Sequence, residues 1–385
     1  SQLLEEKQRK KAENNERLAQ QKTVETQQAL RSAQQQVYLA NMLIAQRDWD
    51  EANIEHLREL LERHRQDEAL KGFEWYYWNR LCHGELLTLK GHKADVHSVA
   101  ISSDGQRIAS ASLDSSVRTW DAGTGRELLK MTGHNGSVLS VTFSPDDRQL
   151  ASSGHDGTLR LWDSSTGELL RTVNAHRSPV HAVAFSPDAT KVASGGVDRV
   201  VKVWNLETRR LAWGHRGHVR RIKDIAFSPD GQRVVTGSYD ATVKAWDTAT
   251  GEILGVFSEQ HSPISSISFN PDGTRMASGS LDKTVMIWDT SNGRLSLTLK
   301  GHEGPIYCTA FSPDGKLIAS SGSSRSVTIW DAETGQHRLS LKGHTGAIQQ
   351  ITFSRDGRRI VSASDDNTIK VWDVSKSVPK PGVAQ

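Results

Sequence analysis

The chain has 385 residues, 24% of them charged, with a net charge of +3 and only two cysteines, Cys82 and Cys308. Its longest apolar run falls far short of the ~18 residues that a membrane helix needs, and two cysteines cannot build a disulfide framework. Residues 1–84 hold 13 basic and 14 acidic side chains, and a balance this close to neutral argues against nucleic acid or an anionic membrane as the main partner. No signal-peptide pattern opens the chain, and a start at Ser1 leaves room for a natural N-terminus further upstream.

Residues 2–47 lack Pro and Gly and are rich in Gln, Glu, Lys, Arg and Ala, so the first segment, 1–34, reads as a polar helix. Its apolar residues (Leu3, Leu4, Leu18, Val24) are too sparse for a sustained heptad seam. A solvated linker helix and a coiled-coil arm for oligomerisation are both open.

Apolar density rises from Val37. Tyr38 to Ala45 and then Ile54, Leu57, Leu60 and Leu61 predict two amphipathic helices with a turn near Arg47-Asp48. With Trp49 set before Glu51-Ala52, residues 35–83 resemble one degenerate tetratricopeptide-type helix pair. One copy cannot build a binding superhelix, so it is expected to cap the C-terminal array or lead into it. The densest aromatic stretch, Leu70–Leu81, is either a recognition box or a helix sealing the helical part onto its neighbour.

Residues 84–374 are that array. Trp120, Trp162, Trp204, Trp246, Trp288, Trp330 and Trp372 recur every 42 residues. Six are followed by Asp and the third by Asn205. Each period reads as four short strands with turns between them: Ser137–Phe143, Leu150–Gly154, Thr158–Trp162 and Glu168–Thr172 in the second copy. Ser144-Pro145-Asp146-Asp147 makes the first turn, because Pro presets φ and Asp hydrogen-bonds its own backbone. Four strands per repeat form one blade of an antiparallel propeller. The last repeat ends at Val374 without a fourth strand, while a spare one, Glu85–Lys90, precedes the first. That strand is expected to complete the seventh blade and remove the open edge; residues 375–385 read as a flexible tail.

With Gly-His at the front and Trp-Asp at the back, these units resemble WD40 repeats. The resemblance implies an all-β, seven-bladed propeller preceded by an α-helical extension. It also implies a buried tetrad in each blade. The matching residues are His92, Ser110, Asp114 and Trp120 in the first repeat, His134, Ser152, Asp156 and Trp162 in the second, and His176, Ser194, Asp198 and Trp204 in the third. The fourth supplies His218, Thr236, Asp240 and Trp246, and the seventh His344, Ser362, Asp366 and Trp372. The fifth repeat departs, with Gln260 in register and His261 one place late. In the sixth, Ser324 replaces the turn Asp, so His302 loses its carboxylate and this blade is expected to be the softest.

Helices 39–83 leading into such a ring resemble the C-terminal parts of large bacterial proteins that carry an N-terminal eukaryotic-like Ser/Thr kinase. No kinase motif occurs in this chain. Of fifteen histidines, seven belong to the repeat openings, and the others show no HExxH or CxxC context. A catalytic site, a metal and a cofactor are therefore not expected, although His97, His155 and His181 could share one rim.

The resemblance implies a protein-interaction platform that docks partners on the narrower face. The residues it places there include His97, Leu139, His155, His181, Tyr307 and Gln349, with Arg220, Arg221, Lys223 and Tyr239 in the fourth blade. Arg and Tyr together suit an acidic or phosphorylated peptide; a solvated basic loop would look the same. Both Arg221 and Lys223 are expected in solvent. The alternative is a sensor domain of a membrane-anchored bacterial signalling protein such as a kinase, which would leave the compartment, cytoplasmic or extracytoplasmic, open.

Overall fold

The computed structural model describes residues 2–51, 53–65, 75, 78 and 84–375, which divide into two units, 1–82 and 83–385. In the first unit the Pro- and Gly-free sequence runs as one helix, α1 (Gln2–Asp50). Residues 9–37 of it stand in solvent. No break separates residues 2–34 from the rest of the helix. The change at Tyr38 is one of burial, because apolar residues begin there to recur on one face. Tyr38, Met42 and Ala45 pack against Leu57 and Leu61 of α2 (Ile54–Arg63), and Trp75 and Trp78 complete that cluster.

The turn comes later than Arg47-Asp48. Arg47 and Asp48 are still helical, and their carbonyls accept from Glu51 N at 2.9 Å and Asn53 N at 2.7 Å. Asp48 is buried and accepts from His56 Nδ1 at 2.7 Å, so its polarity serves a contact between the helices and not a turn. Trp75 Nε1 donates to Leu61 O at 2.9 Å. The two described rings of the aromatic stretch are thus core residues of the helical unit; the rest of residues 70–81 lies outside the described residues. No described helix is long and apolar enough to cross a membrane.

In the second unit, the described residues form 28 strands, β1 (Glu85–Lys90) to β28 (Thr368–Asp373), in seven four-stranded antiparallel sheets. Six sheets take four consecutive strands each. The seventh has the order β1-β28-β27-β26, where β26 is Ile348–Phe353 and β27 Arg359–Ser364. The N-terminal strand therefore closes the ring, pairing Lys90 with Thr368 and Leu89 with Ile369.

Cores lie between blades. Ile108, Val96 and Trp120 of the first blade pack with Val361, Ile369 and Val371 of the seventh. Cys308 and Val327 of the sixth pack with Ile348 and Trp372 of the seventh. Each blade buries its apolar face only because it has neighbours, which is why the period had to be repeated around a closed ring.

Candidate docking face and channel mouth

The tetrads fix the register of each blade. In the first, His92 Nδ1 lies 2.9 Å from Asp114 Oδ2 and Nε2 lies 2.8 Å from Ser110 Oγ, which also accepts from Trp120 Nε1 at 2.9 Å. The same three contacts join His134 with Asp156, Ser152 and Trp162, and His176 with Asp198, Ser194 and Trp204. They recur in His218, Asp240, Thr236 and Trp246, and in His344, Asp366, Ser362 and Trp372. Burial opposes ionisation of Asp114, but donors from His92, Ser116 and Lys93 N hold its carboxyl well below the usual range.

The two exceptions behave differently. In the fifth blade Gln260 is buried and accepts from Ser278 Oγ at 2.7 Å, while His261 is left exposed. An amide thus replaces the imidazole at the strand hydroxyl. In the sixth, His302 Nε2 keeps Ser320 Oγ at 2.7 Å, but Ser324 Oγ turns to Ser326 Oγ at 3.2 Å. Burial, then the nearby His337, pushes the His302 imidazole down to about 4.

Two sets of loops meet on one face of the ring, its upper face. In every blade a backbone hydrogen bond ties the loop after the second strand to the loop entering the first. Leu113 N donates to Asp95 O at 3.0 Å, His155 N to Ser137 O at 2.9 Å, Tyr239 N to Arg221 O at 3.0 Å and Asp365 N to Ala347 O at 2.9 Å. Just inside these loops, each inner strand has a β-bulge at its second residue, between Val96 and Ser98 in β2 (Val96–Ile101) and at the equivalent place in the other six. A bulge re-aims a side chain. The bulged residues are His97, Leu139, His181, Lys223, Ser265, Tyr307 and Gln349, one per blade around the mouth of the central channel.

This ring divides the residues expected to share one rim. Arg220 and Arg221 are exposed, and the Arg221 guanidinium lies over the Tyr239 ring at 3.9 Å. His155 is also exposed. Lys223 is not in solvent, contrary to expectation: the bulge sets it in the channel mouth, half-buried, and burial pulls its ammonium down while Asp224 opposes this. Leu139 is buried, 6% exposed, and offers a partner almost no surface. Gln349 is half-buried and donates from Nε2 to both Asp365 oxygens at 3.0 Å.

His97 and His181 are half-buried. Burial first, then the Lys223 charge, pushes His97 down to about 4 and His181 down to about 3. Both His181 ring nitrogens are buried without a hydrogen-bond partner among the described residues. Across the mouth, burial raises Asp365 despite Gln349, with Asp95 adding to the effect, and burial, Asp365 and Tyr239 raise Tyr307. Among the described residues no three His, Cys, Asp or Glu side chains are placed to share a metal ion.

Beneath the bulge ring the axis opens into a cavity of about 690 Å³ lined by all seven inner strands. Here, in six of the seven blades, one side chain ties its blade to the next. Val141 N donates to Ser98 Oγ at 3.0 Å, Val183 N to Ser140 Oγ at 3.3 Å, and Thr309 N to Ser266 Oγ at 3.1 Å. Cys308 Sγ reaches Ile351 O at 3.6 Å, and Val99 N donates to Gln350 Oε1 at 2.9 Å. Ala182 has no side-chain acceptor to offer Ile225 N. Asp224 fills both places, accepting from Ile225 N at 2.9 Å and from Ile267 N at 2.8 Å. Sequence reasoning missed Asp224; the signal was a carboxylate at a register position that the other repeats fill with Ser, Ala, Cys or Gln.

A closed seven-bladed ring with charged groups gathered at one mouth defines a propeller of the kind that typically serves as a protein-interaction scaffold and is generally non-catalytic. The family model described as "WD domain, G-beta repeat" matches residues 84–121, 125–163, 167–205, 210–247, 251–289, 293–331 and 335–373. The chain belongs to the WD40 family. One segment of 38 residues, 10% of the chain, is 53% identical to the vegetative incompatibility protein HET-E-1 of Podospora anserina, of which it spans 3%.

Proposed function

We propose that this chain is a non-catalytic interaction platform whose upper face, the narrower one in the family, docks an acidic or phosphorylated protein segment. The observation behind this reading is the Arg221 guanidinium stacked over Tyr239 at 3.9 Å, with Arg220 exposed beside it. Stacking leaves the guanidinium edge free to bind a carboxylate or phosphate in bidentate fashion, and the ring adds a packing surface at low entropic cost. Capture of protein partners by the full chain should be lost on converting Arg220 and Arg221 together to Glu, with an unchanged melting temperature. Undiminished capture by that variant would defeat the reading.

A second reading rests on α1, a 49-residue helix whose residues 9–37 are exposed. Such a helix suits a linker or a coiled-coil arm in a larger bacterial signalling protein, membrane-anchored and ending in this propeller as its sensor. A transmembrane segment and a kinase domain encoded upstream of Ser1 would support it; a gene without them would remove it.

A further inference from the structure

Helix α1 carries an apolar seam that the described residues leave open. Heptad positions a and d run from Ala19 through Thr23, Thr26, Leu30, Ala33, Val37 and Ala40 to Ile44. All but the half-buried Ile44 are exposed, Leu30 at 58% and Val37 at 56%. None of Leu3, Leu4, Leu18 and Val24 lies on this line, and Arg9 and Glu16 do, so the seam begins at Ala19. Helix α2 packs elsewhere, on Tyr38, Met42 and Ala45, which take positions b and f on the far side of α1. Thr23 Oγ1 donates to Ala19 O at 2.9 Å and Thr26 Oγ1 to Lys22 O at 2.7 Å, so both bring a satisfied hydroxyl to the seam. Helices in proteins draw most of their stability from packing an apolar face, and along 19–40 that face has no cover within the chain's described residues.

We propose that this seam is a dimer interface, on which α1 pairs with α1 of a second copy of this chain as an antiparallel coiled coil centred between Arg31 and Ser32. The proposal rests on the reading of α1 as a coiled-coil arm, names its partner, and needs no upstream domain. In this register Leu30 meets the partner's Ala33, Thr26 the partner's Val37, Thr23 the partner's Ala40 and Ala19 the partner's Ile44. Each layer sets a larger side chain against a smaller one, so the two helices interdigitate at even spacing.

The residues flanking the seam favour the same arrangement. At positions e and g, antiparallel pairing sets Gln27 against the partner's Gln34, Gln20 against the partner's Asn41, and Ala29 against the partner's Gln36. Lys22 meets the partner's Leu43, which is 76% exposed in the single chain, and its aliphatic stem covers that side chain while the ammonium reaches water. No like charges face each other, and Glu25 and Arg31 sit outside at positions c and b. A shift of one heptad either way would bring Glu16 or Arg47 into the seam. Parallel pairing would stack Leu30 on Leu30 and Ala33 on Ala33, alternately crowding and hollowing the layers, and would set Leu43 against the buried Asp48.

The test is sedimentation equilibrium of the full chain, which should show monomer and dimer in exchange. Leu30→Glu alters two layers of the dimer at once and should weaken association at least about a hundredfold. Leu30 is exposed in the single chain, so this variant keeps its fold. Leu18→Glu changes an equally exposed leucine off the seam and should associate like the wild type. Orientation is read by disulfides in a Cys82→Ser background. Thr23→Cys chains mixed with Ala40→Cys chains should form the mixed disulfide, and neither should cross-link alone, because two copies of one such residue lie about 25 Å apart along an antiparallel pair. Cross-linking of each alone would overturn the antiparallel arrangement. A chain still monomeric at about 100 μM, or a dimer that survives Leu30→Glu, would overturn the seam. A monomer leaves α1 as a linker and does not touch the upper-face reading, which capture by the Arg220 and Arg221 variant decides separately.

Discussion

Lys370 Nζ lies 3.1 Å from Glu85 Oε1, across 285 residues of sequence, and 2.8 Å from Thr88 Oγ1. Both charged side chains are largely buried, so this pair joins the first strand of the ring to the last in a place where water screens it poorly. Strand β1 is thus a clasp with polar as well as backbone contacts.

Deleting residues 1–90 should therefore destabilise the whole ring, because the seventh blade loses β1 and exposes the edge of β28. Deleting only residues 1–34 should leave the propeller's melting temperature nearly unchanged, since residues 9–34 of α1 are exposed. Glu85→Ala, which removes the carboxylate that Lys370 Nζ meets at 3.1 Å, should destabilise by about 1.5–3 kcal/mol, the usual worth of a hydrogen bond to a charged group. Thermal melts of the three variants check this; a ring without residues 1–90 that melts like the full chain would refute the clasp.

The sixth blade is open to improvement. Ser324→Asp should give His302 the missing carboxylate and stabilise by about 0.5–1.5 kcal/mol, the net worth of an internal hydrogen bond. Asp156→Ser in the second blade should cost more, because it leaves His134 buried without its acceptor. Denaturant midpoints decide, and equal, negligible effects would mean that the tetrads matter little for stability.

Acid should expose the same weakness. His302 is pushed down to about 4 in the folded chain, whereas in the unfolded chain it takes a proton near 6.5. Its contribution is complete above about 6.5 and is lost as pH falls towards the folded value, at up to ~1.4 kcal/mol per unit. Ser324→Asp raises the folded pKa towards the unfolded one and should shrink that loss. Melting temperatures of wild type and variant across this window should converge at neutral pH and separate in acid, after correction for the gain at neutral pH.

Much of this was legible in the sequence, for a physical reason. A tetrad needs His, Ser or Thr, Asp and Trp at fixed register, so the resemblance to WD40 repeats could be carried residue by residue onto His344, Ser362, Asp366 and Trp372, which make those contacts. The clasp was legible by counting strands. Lys223 was not, because strict alternation along a strand cannot anticipate a bulge that turns one residue from the rim into the channel. The α1 turn was misplaced for a similar reason: Asp48 looks like a helix breaker until its contact with His56 is seen.

Arg221 and Lys223 should consequently respond differently to charge reversal. Arg221→Glu removes an exposed cation stacked on Tyr239 and should shift stability by no more than about 0.5 kcal/mol. Lys223→Glu puts a carboxylate beside Asp224 in a half-buried mouth and should destabilise by well over ~1 kcal/mol, through like-charge repulsion and desolvation. Chemical denaturation of the two single variants tests this, and equal stability would return Lys223 to the solvent.

The inter-blade belt offers the sharpest test of the fold, through Asp224 and Ala182. Asp224 accepts from Ile225 N and Ile267 N, and it takes the first only because Ala182 has no oxygen. Asp224→Ala should leave two buried backbone donors unpaired, each costing about 1–3 kcal/mol. Ala182→Ser adds one oxygen at the position from which Ser140 serves Val183 N, so it can rescue Ile225 N but not Ile267 N. In a double-mutant cycle, Ala182→Ser should therefore be nearly neutral alone and recover about half the loss in the Asp224→Ala background. Additive effects would show that the two side chains do not share a donor. Full recovery would show that Ile267 N contributes nothing, and that the belt is a set of local contacts and not a chain of links from blade to blade.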